Sequence, residues 1–277
     1  KVGMRVEHFA ESKLILIWGS NSVGSNLHFW RQALAAKRQG ARLVCIDPRR
    51  TETADKCHDH LALRPGTDAA LAYAILHGCI THGWIDQAYI DAHTLGWDGL
   101  RQRALQWPAE RAAAYCGLPL AQVEALVQAI GACHTRREPV AIRLNYGMQR
   151  THGGGNAVRA VACIPAVIGA WRHRAGGLLL SSSGTYPVRR AELFRPDLLA
   201  QSAAPQPRVV NMSTIGQDLL RPASPDWGPA IEALVVYNSN PVAVAPQSGQ
   251  VVQGFAREDL FTVVLEQFQT DTADHAD

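Results

Sequence analysis

The chain has 277 residues, of which 47% are hydrophobic and 18% charged, enough to bury a large core and too apolar for a disordered polymer. Its 27 basic and 24 acidic residues leave a net charge of +3, too mild to imply nucleic acid and compatible with a bound anion. At about 150 residues per domain, the length suggests two domains.

In chain order, Leu14–Trp18 is a continuous apolar run, as for a strand buried on both faces. A helix over 26–39 follows, with Leu27, Trp30, Leu34 and Lys37 at helical spacing and Gly40 ending it. Residues 41–46 form the next strand, and Pro65 opens a helix over 67–82. Strand, helix, strand, loop, helix is a βαβ pattern. Residues 87–116 carry further helices, and 119–132 an amphipathic one with Val123, Leu126, Val127 and Ile130 on one face. A strand over 140–144 leads into a glycine-rich loop over 147–156 and a helix over 157–168.

Between 176 and 207 the chain turns Ser-, Gly- and Pro-rich, which places a boundary there: a first domain over 1–178 and a second over 179–277. The second holds strands over 233–237 and 260–265, with the loop Asn238–Pro241 between them. No internal repeat of fixed period stands out. Two strand-then-asparagine loops, at Gly19–Asn21 and Asn238–Asn240, do hint at two similar nucleotide sites. The fold class expected is α/β: two Rossmann-like three-layer domains with mostly parallel sheets.

The longest apolar stretch, Val161–Trp171, falls short of the roughly 20 residues a bilayer span needs, so no membrane span is expected. Six scattered cysteines contain no CxxC pair, so iron–sulfur and zinc-ribbon frameworks are not expected in these residues. Isolated cysteines suit a reducing compartment, which makes the cytoplasm the expected location; a periplasmic address would need a signal before Lys1. Cys57, His58 and His60 lack the distant partners that a zinc site of about four ligands requires.

The candidate chemistry lies just after the strands, where an open parallel sheet holds a nucleotide. Gly19 lets the backbone approach a diphosphate, and Asn21 can donate to a phosphate oxygen, although the full G-x-G-x-x-G pattern is missing. Asp47 ends the second strand, where an acid accepts from ribose hydroxyls. Arg49 beside it could meet a 2′-phosphate or pack on a purine. In the turn around Gly66, Asp68 could accept two hydrogen bonds from guanine or simply serve the helix dipole. The segment from Gly147 through Met148, Gln149 and Arg150 to Gly155 can present backbone N–H groups and polar side chains to a flat heterocycle.

WGSN, IDPRRTETA, LRPGTDAALA, GMQRTHGGGNAVRA, YNSNP and EQFQTDTADHAD, in this order, resemble the dimethyl sulfoxide reductase family of molybdopterin oxidoreductases across nearly the whole chain. The resemblance implies bis-molybdopterin guanine dinucleotide with molybdenum or tungsten. Gly19 and Asn21 would face the pyrophosphate of one cofactor, Asp47 its ribose, Asp68 its guanine, and Gly147, Met148, Gln149 and Arg150 the pterin. Asn238, Asn240 and Pro241 would serve the second cofactor, with Gln267 and Asp271 nearby. The family's four-cysteine iron–sulfur domain and its metal ligand have no counterpart here, so the resemblance implies an internal portion with little turnover of its own. A small-molecule substrate and an electron-transfer partner protein are the implied partners. Two other readings stay open: an NAD(P)-dependent dehydrogenase, and a non-catalytic degenerate subunit of the same family.

Overall fold

The computed structural model describes residues 3–183, 188–200 and 207–277. The chain divides into two compact units, Lys1–Arg189 and Arg190–Asp277. In the first, the strands β1 (Leu14–Trp18), β2 (Arg42–Ile46), β3 (Asp59–Leu61), β4 (Val140–Leu144) and β5 (Gly177–Leu179) form one parallel sheet in the order β3-β2-β1-β4-β5. The order reverses between β1 and β4, which is where a doubly wound sheet opens a ligand crevice.

Between the strands run α1 (Ser22–Ser25), α2 (Leu27–Arg38), α3 (Glu52–Lys56), α4 (Asp68–Thr81), α5 (Gln87–His93), α6 (Trp97–Ala104), α7 (Ala109–Cys116), α8 (Leu120–Arg136) and α9 (Gly154–Val167). Every residue of β1 is buried, because the sheet is covered on both faces. Leu14, Leu16 and Trp18 pack with residues of α4, α8 and α9. Ile15 and Ile17 pack with Phe9 and with Phe29, Trp30, Ala33 and Ala36 of α2. Phe9 and Phe29 meet edge to face at 4.9 Å.

One helix face and two boundaries differ from the sequence reading. The inward face of α2 is carried by Phe29 and Trp30, while Leu27 is 67% exposed. The Asn26 side chain accepts from Phe29 N at 3.1 Å, and this cap sets the rotation of the helix. Helix α8 runs to Arg136, past the expected 132, and stops where Arg137 turns left-handed at φ 54°. The glycine-rich loop is partly ordered: Tyr146–Arg150 is a 3₁₀ turn, and α9 starts at Gly154 rather than 157.

The boundary expected after residue 178 would cut β5, whose Leu178 pairs with Ile142 of β4. The units divide after Arg189 instead. Ser, Gly and Pro mark a linker by composition, and the short strand inside that stretch is added by pairing alone.

The second unit contains α10 (Arg190–Phe194), α11 (Pro196–Ala200), α12 (Ile215–Leu219), β6 (Ala233–Tyr237), α13 (Pro241–Val244), α14 (Ser248–Phe255) and β7 (Phe261–Leu265). Strands β6 and β7 pair in parallel. Its core gathers Leu219, Val236, Val242, Val251, Phe255 and Leu260. On the other face of the pair, Val235, Tyr237, Phe261, Val263 and Leu265 are exposed. No described helix is long and apolar enough to cross a membrane.

Two glycines test this packing in opposite directions. A Cβ on Gly131 of α8 would run into the Trp84 ring, whereas one on Gly99 of α6 would meet open space. Gly131→Ala is expected to cost about 1–3 kcal/mol through overpacking. Gly99→Ala is expected to gain about 0.4–1 kcal/mol through helix propensity and a stiffer unfolded chain. Urea unfolding of the two variants checks both signs.

Candidate functional site

The first unit brings its candidate residues together at the carboxyl ends of β1, β2 and β4. The β1 turn and the β4 turn touch backbone to backbone. A Cβ on Gly147 would lie 2.8 Å from Gly19 O, and one on Gly19 would lie 2.9 Å from Met148 Cγ and 3.2 Å from Met148 N. Gly19 also takes φ 60°, so glycine is required there for conformation and for space. Met148 is buried, and Gln149 and Arg150 are exposed on the same turn.

The turn around Gly66 (φ 83°) closes the same edge: a Cβ there would sit 3.6 Å from Thr151 Cβ. Asp68 follows at the start of α4, 7% exposed, and its Oδ1 accepts from Trp18 Nε1 at 2.7 Å. This ties the turn before α4 to the last residue of β1. It also spends one of the carboxylate's acceptor positions on the protein itself. Burial pushes the Asp68 carboxyl above its ordinary value, the Trp18 bond opposes that, and the nearby Asp47 charge adds to it.

Asp47 is half-buried and receives Arg49 N on Oδ1 at 2.9 Å, while His60 Nε2 bonds its carbonyl at 2.8 Å. Arg49 itself is exposed. Asn21 points inward: its Oδ1 accepts from Thr53 Oγ1 and its Nδ2 donates to Glu52 Oε2, both at 2.9 Å. Thr53 Oγ1 in turn accepts from Val23 N at 3.0 Å. The Glu52 carboxyl is held below its usual range by its own backbone N–H and by the Asn21 amide.

In the second unit, Asn238, Asn240, Pro241, Gln267 and Asp271 gather at the carboxyl ends of β6 and β7. Asn238 adopts φ 50°, and Pro241 opens α13. Asn240 Oδ1 accepts from Thr272 Oγ1 at 2.7 Å, and its Nδ2 donates to Asp271 Oδ2 at 3.2 Å. Gln267 is exposed, and its backbone N donates to Glu266 Oε1 at 2.7 Å. The sequence reading missed Thr53 and Thr272, both fully buried, because a threonine among polar residues carries no signal of burial. Among the described residues no three His, Cys, Asp or Glu side chains gather as a metal site.

Parallel strands that end in tight, polar, glycine- or asparagine-built turns define an open α/β protein of the kind that places its ligands at those strand ends. The family model described as "Molybdopterin oxidoreductase" matches residues 2–277, and the chain belongs to that family, which includes dimethyl sulfoxide reductase. "Probable oxidoreductase YoaE" of Bacillus subtilis (strain 168) is 35% identical over 275 residues, covering 99% of this chain and 39% of that protein. "F420-dependent formate dehydrogenase subunit alpha" of Methanocaldococcus jannaschii is 25% identical over 302 residues, covering 98% and 41%. The solved structure "Acetylene Hydratase from Pelobacter acetylenicus" matches with a TM-score of 0.68 at 21% identity, over 99% of this chain and 41% of that one, and so shares its fold. The chain thus spans about two fifths of the length of these relatives.

The buried Asp68 gives a pH signature. Its folded value lies above the ordinary aspartate value of about 3.8, so the unfolded chain ionises first as pH rises, and folding loses stability through that window. Asp68→Asn keeps an oxygen for Trp18 and removes the titration. Its unfolding free energy relative to wild type should therefore climb as pH rises from the ordinary carboxylate range through the raised folded value. A difference that stays flat or falls over that range would reverse the assignment.

Proposed function

We propose that this chain is the cofactor-holding portion of a molybdenum or tungsten oxidoreductase that binds molybdopterin guanine dinucleotide. The observation that carries the reading is the convergence of the Gly19, Gly66 and Gly147 turns at the switch between β1 and β4. A group with a diphosphate and a flat ring fits this edge, which has side-chain-free backbone at Gly19 and Gly147 and exposed Arg49, Gln149 and Arg150 around it. When bound, the cofactor supplies two-electron chemistry, moving an oxygen atom or a hydride equivalent on a small substrate.

The chain's own residues bind and orient. Gly19 lets the turn lie against a pyrophosphate, Asp47 holds a ribose hydroxyl, and Asp68 takes one guanine donor while Trp18 keeps the other oxygen in place. Gly147, Met148, Gln149 and Arg150 face the pterin end. In the second unit, Asn238, Asn240, Pro241, Gln267 and Asp271 form the matching turn, where Glu266 stands directly after β7 as Asp47 does after β2. Because Asn21 and Asn240 use their amides internally, they act through the backbone turns they hold. In this reading any iron–sulfur cluster is held by other cysteines than the six here, which are free and mostly buried. An electron-transfer partner is supported by the relative that is itself named a subunit.

A thermal-shift titration with GDP, run beside ADP and NAD, tests the reading. A ligand at a hundredfold excess over Kd stabilises the folded state by about 2.7 kcal/mol. GDP alone is expected to raise Tm, and Asp68→Asn, scored against its own unliganded Tm, to shrink that rise. A shift with NAD and ADP but none with GDP would replace this reading with a dehydrogenase.

A further inference from the structure

At the amino end of β4, away from the glycine turns, the first unit holds a cavity of about 440 Å³. That lies within the roughly 300–1,000 Å³ range of small-molecule clefts. Val140, Ile168 and Ala170, all buried, give it an apolar floor. Asp86, Glu138, Arg172, Arg137, His134 and His173 supply its polar wall.

The charges in that wall are unevenly spent. Asp86 receives Arg172 Nε and Nη2 on its two oxygens, and Tyr89 N at 2.8 Å. Glu138 Oε2 receives Arg136 Nε at 2.8 Å. These arginines hold both carboxyls below their usual range. Arg137, His134 and His173, by contrast, make no side-chain hydrogen bond among the described residues. His134 feels the charge of Asp86, which is already paired. The spare polarity of the wall is therefore that of donors, and its missing partner is an anion.

Arg137 also stands where glycine would suit the fold better. It follows α8 at φ 54°. Helices α7 and α9 end in the same left-handed region through glycine, Gly117 at 71° and Gly169 at 68°. The bonds that close α8 run from the Arg137 backbone N–H to Cys133 O and His134 O, and glycine would make them equally well. The guanidinium takes no part in that cap; it lines the cavity. A side chain in strained backbone, bordering a cleft and bonded to nothing, marks a site rather than a support.

We propose that this cavity binds a small monocarboxylate with an apolar body. The body rests on Val140, Ile168 and Ala170, and the carboxylate takes its hydrogen bonds from Arg137, with His134 and His173 as further donors. The site is separate from the cofactor edge and does not rest on the function proposed above.

Titration calorimetry of the full chain with benzoate, and with benzamide as its uncharged counterpart, tests the site. Benzoate is expected to bind about tenfold more tightly than benzamide, or better. Arg137→Gly and Arg137→Asn both suit left-handed backbone, and each should weaken benzoate by about tenfold or more. Their urea midpoints should match or exceed that of wild type. Arg137→Lys keeps the charge and loses the planar fork, so it should bind in between. Wild type that ignores benzoate, equal affinity for benzamide, or unchanged affinity in the glycine and asparagine variants overturns the site. A lower urea midpoint in Arg137→Gly would show that the guanidinium serves the fold, and overturns it too.

Discussion

The structure depends on how β1 is allowed to end. The strand is buried on every residue and hydrogen-bonded on both edges, to β2 and β4, so its chain must leave the sheet within one residue. That residue is Gly19, at φ 60°, pressed against the Gly147–Met148 backbone arriving from β4. Any side chain at Gly19 or Gly147 would part the two turns. Glycine here costs conformational entropy on folding, and in return two backbones come close enough to form one continuous edge.

Trp18 adds a second tie at the same place. Its indole belongs to the core, yet its N–H needs an acceptor, and the acceptor is the buried carboxylate of Asp68. One bond thus satisfies two groups that would each be costly alone. It also couples the position of the turn before α4 to the sheet, so the site is built on the strand rather than on loop stiffness.

Much of this was legible in the sequence because burial leaves a strong pattern. The strand at Leu14–Trp18, the pair in the second unit and the turns that follow them stand where apolar runs meet Gly, Asn and Asp. The rotation of α2 was not legible: Leu27 and Phe29 are both apolar, and only the Asn26 cap chooses between them. The partner of Asp68 lies 50 residues away and those of Asn21 and Asn240 about 32, so no local spacing announces them. Both asparagines look like ligand donors until their amides are seen to be spent on the protein.

Asn238 stands where its counterpart in the first unit is Gly19, and both occupy left-handed backbone. Asparagine tolerates that conformation better than other side-chain-bearing residues, so the turn survives the change. Its surroundings do not stay the same. One turn offers a visitor bare peptide, and the other adds an amide that can donate and accept. A ligand group brought to either turn would therefore meet different solvation and different bonding. Strand ends that share a backbone conformation present different chemistry.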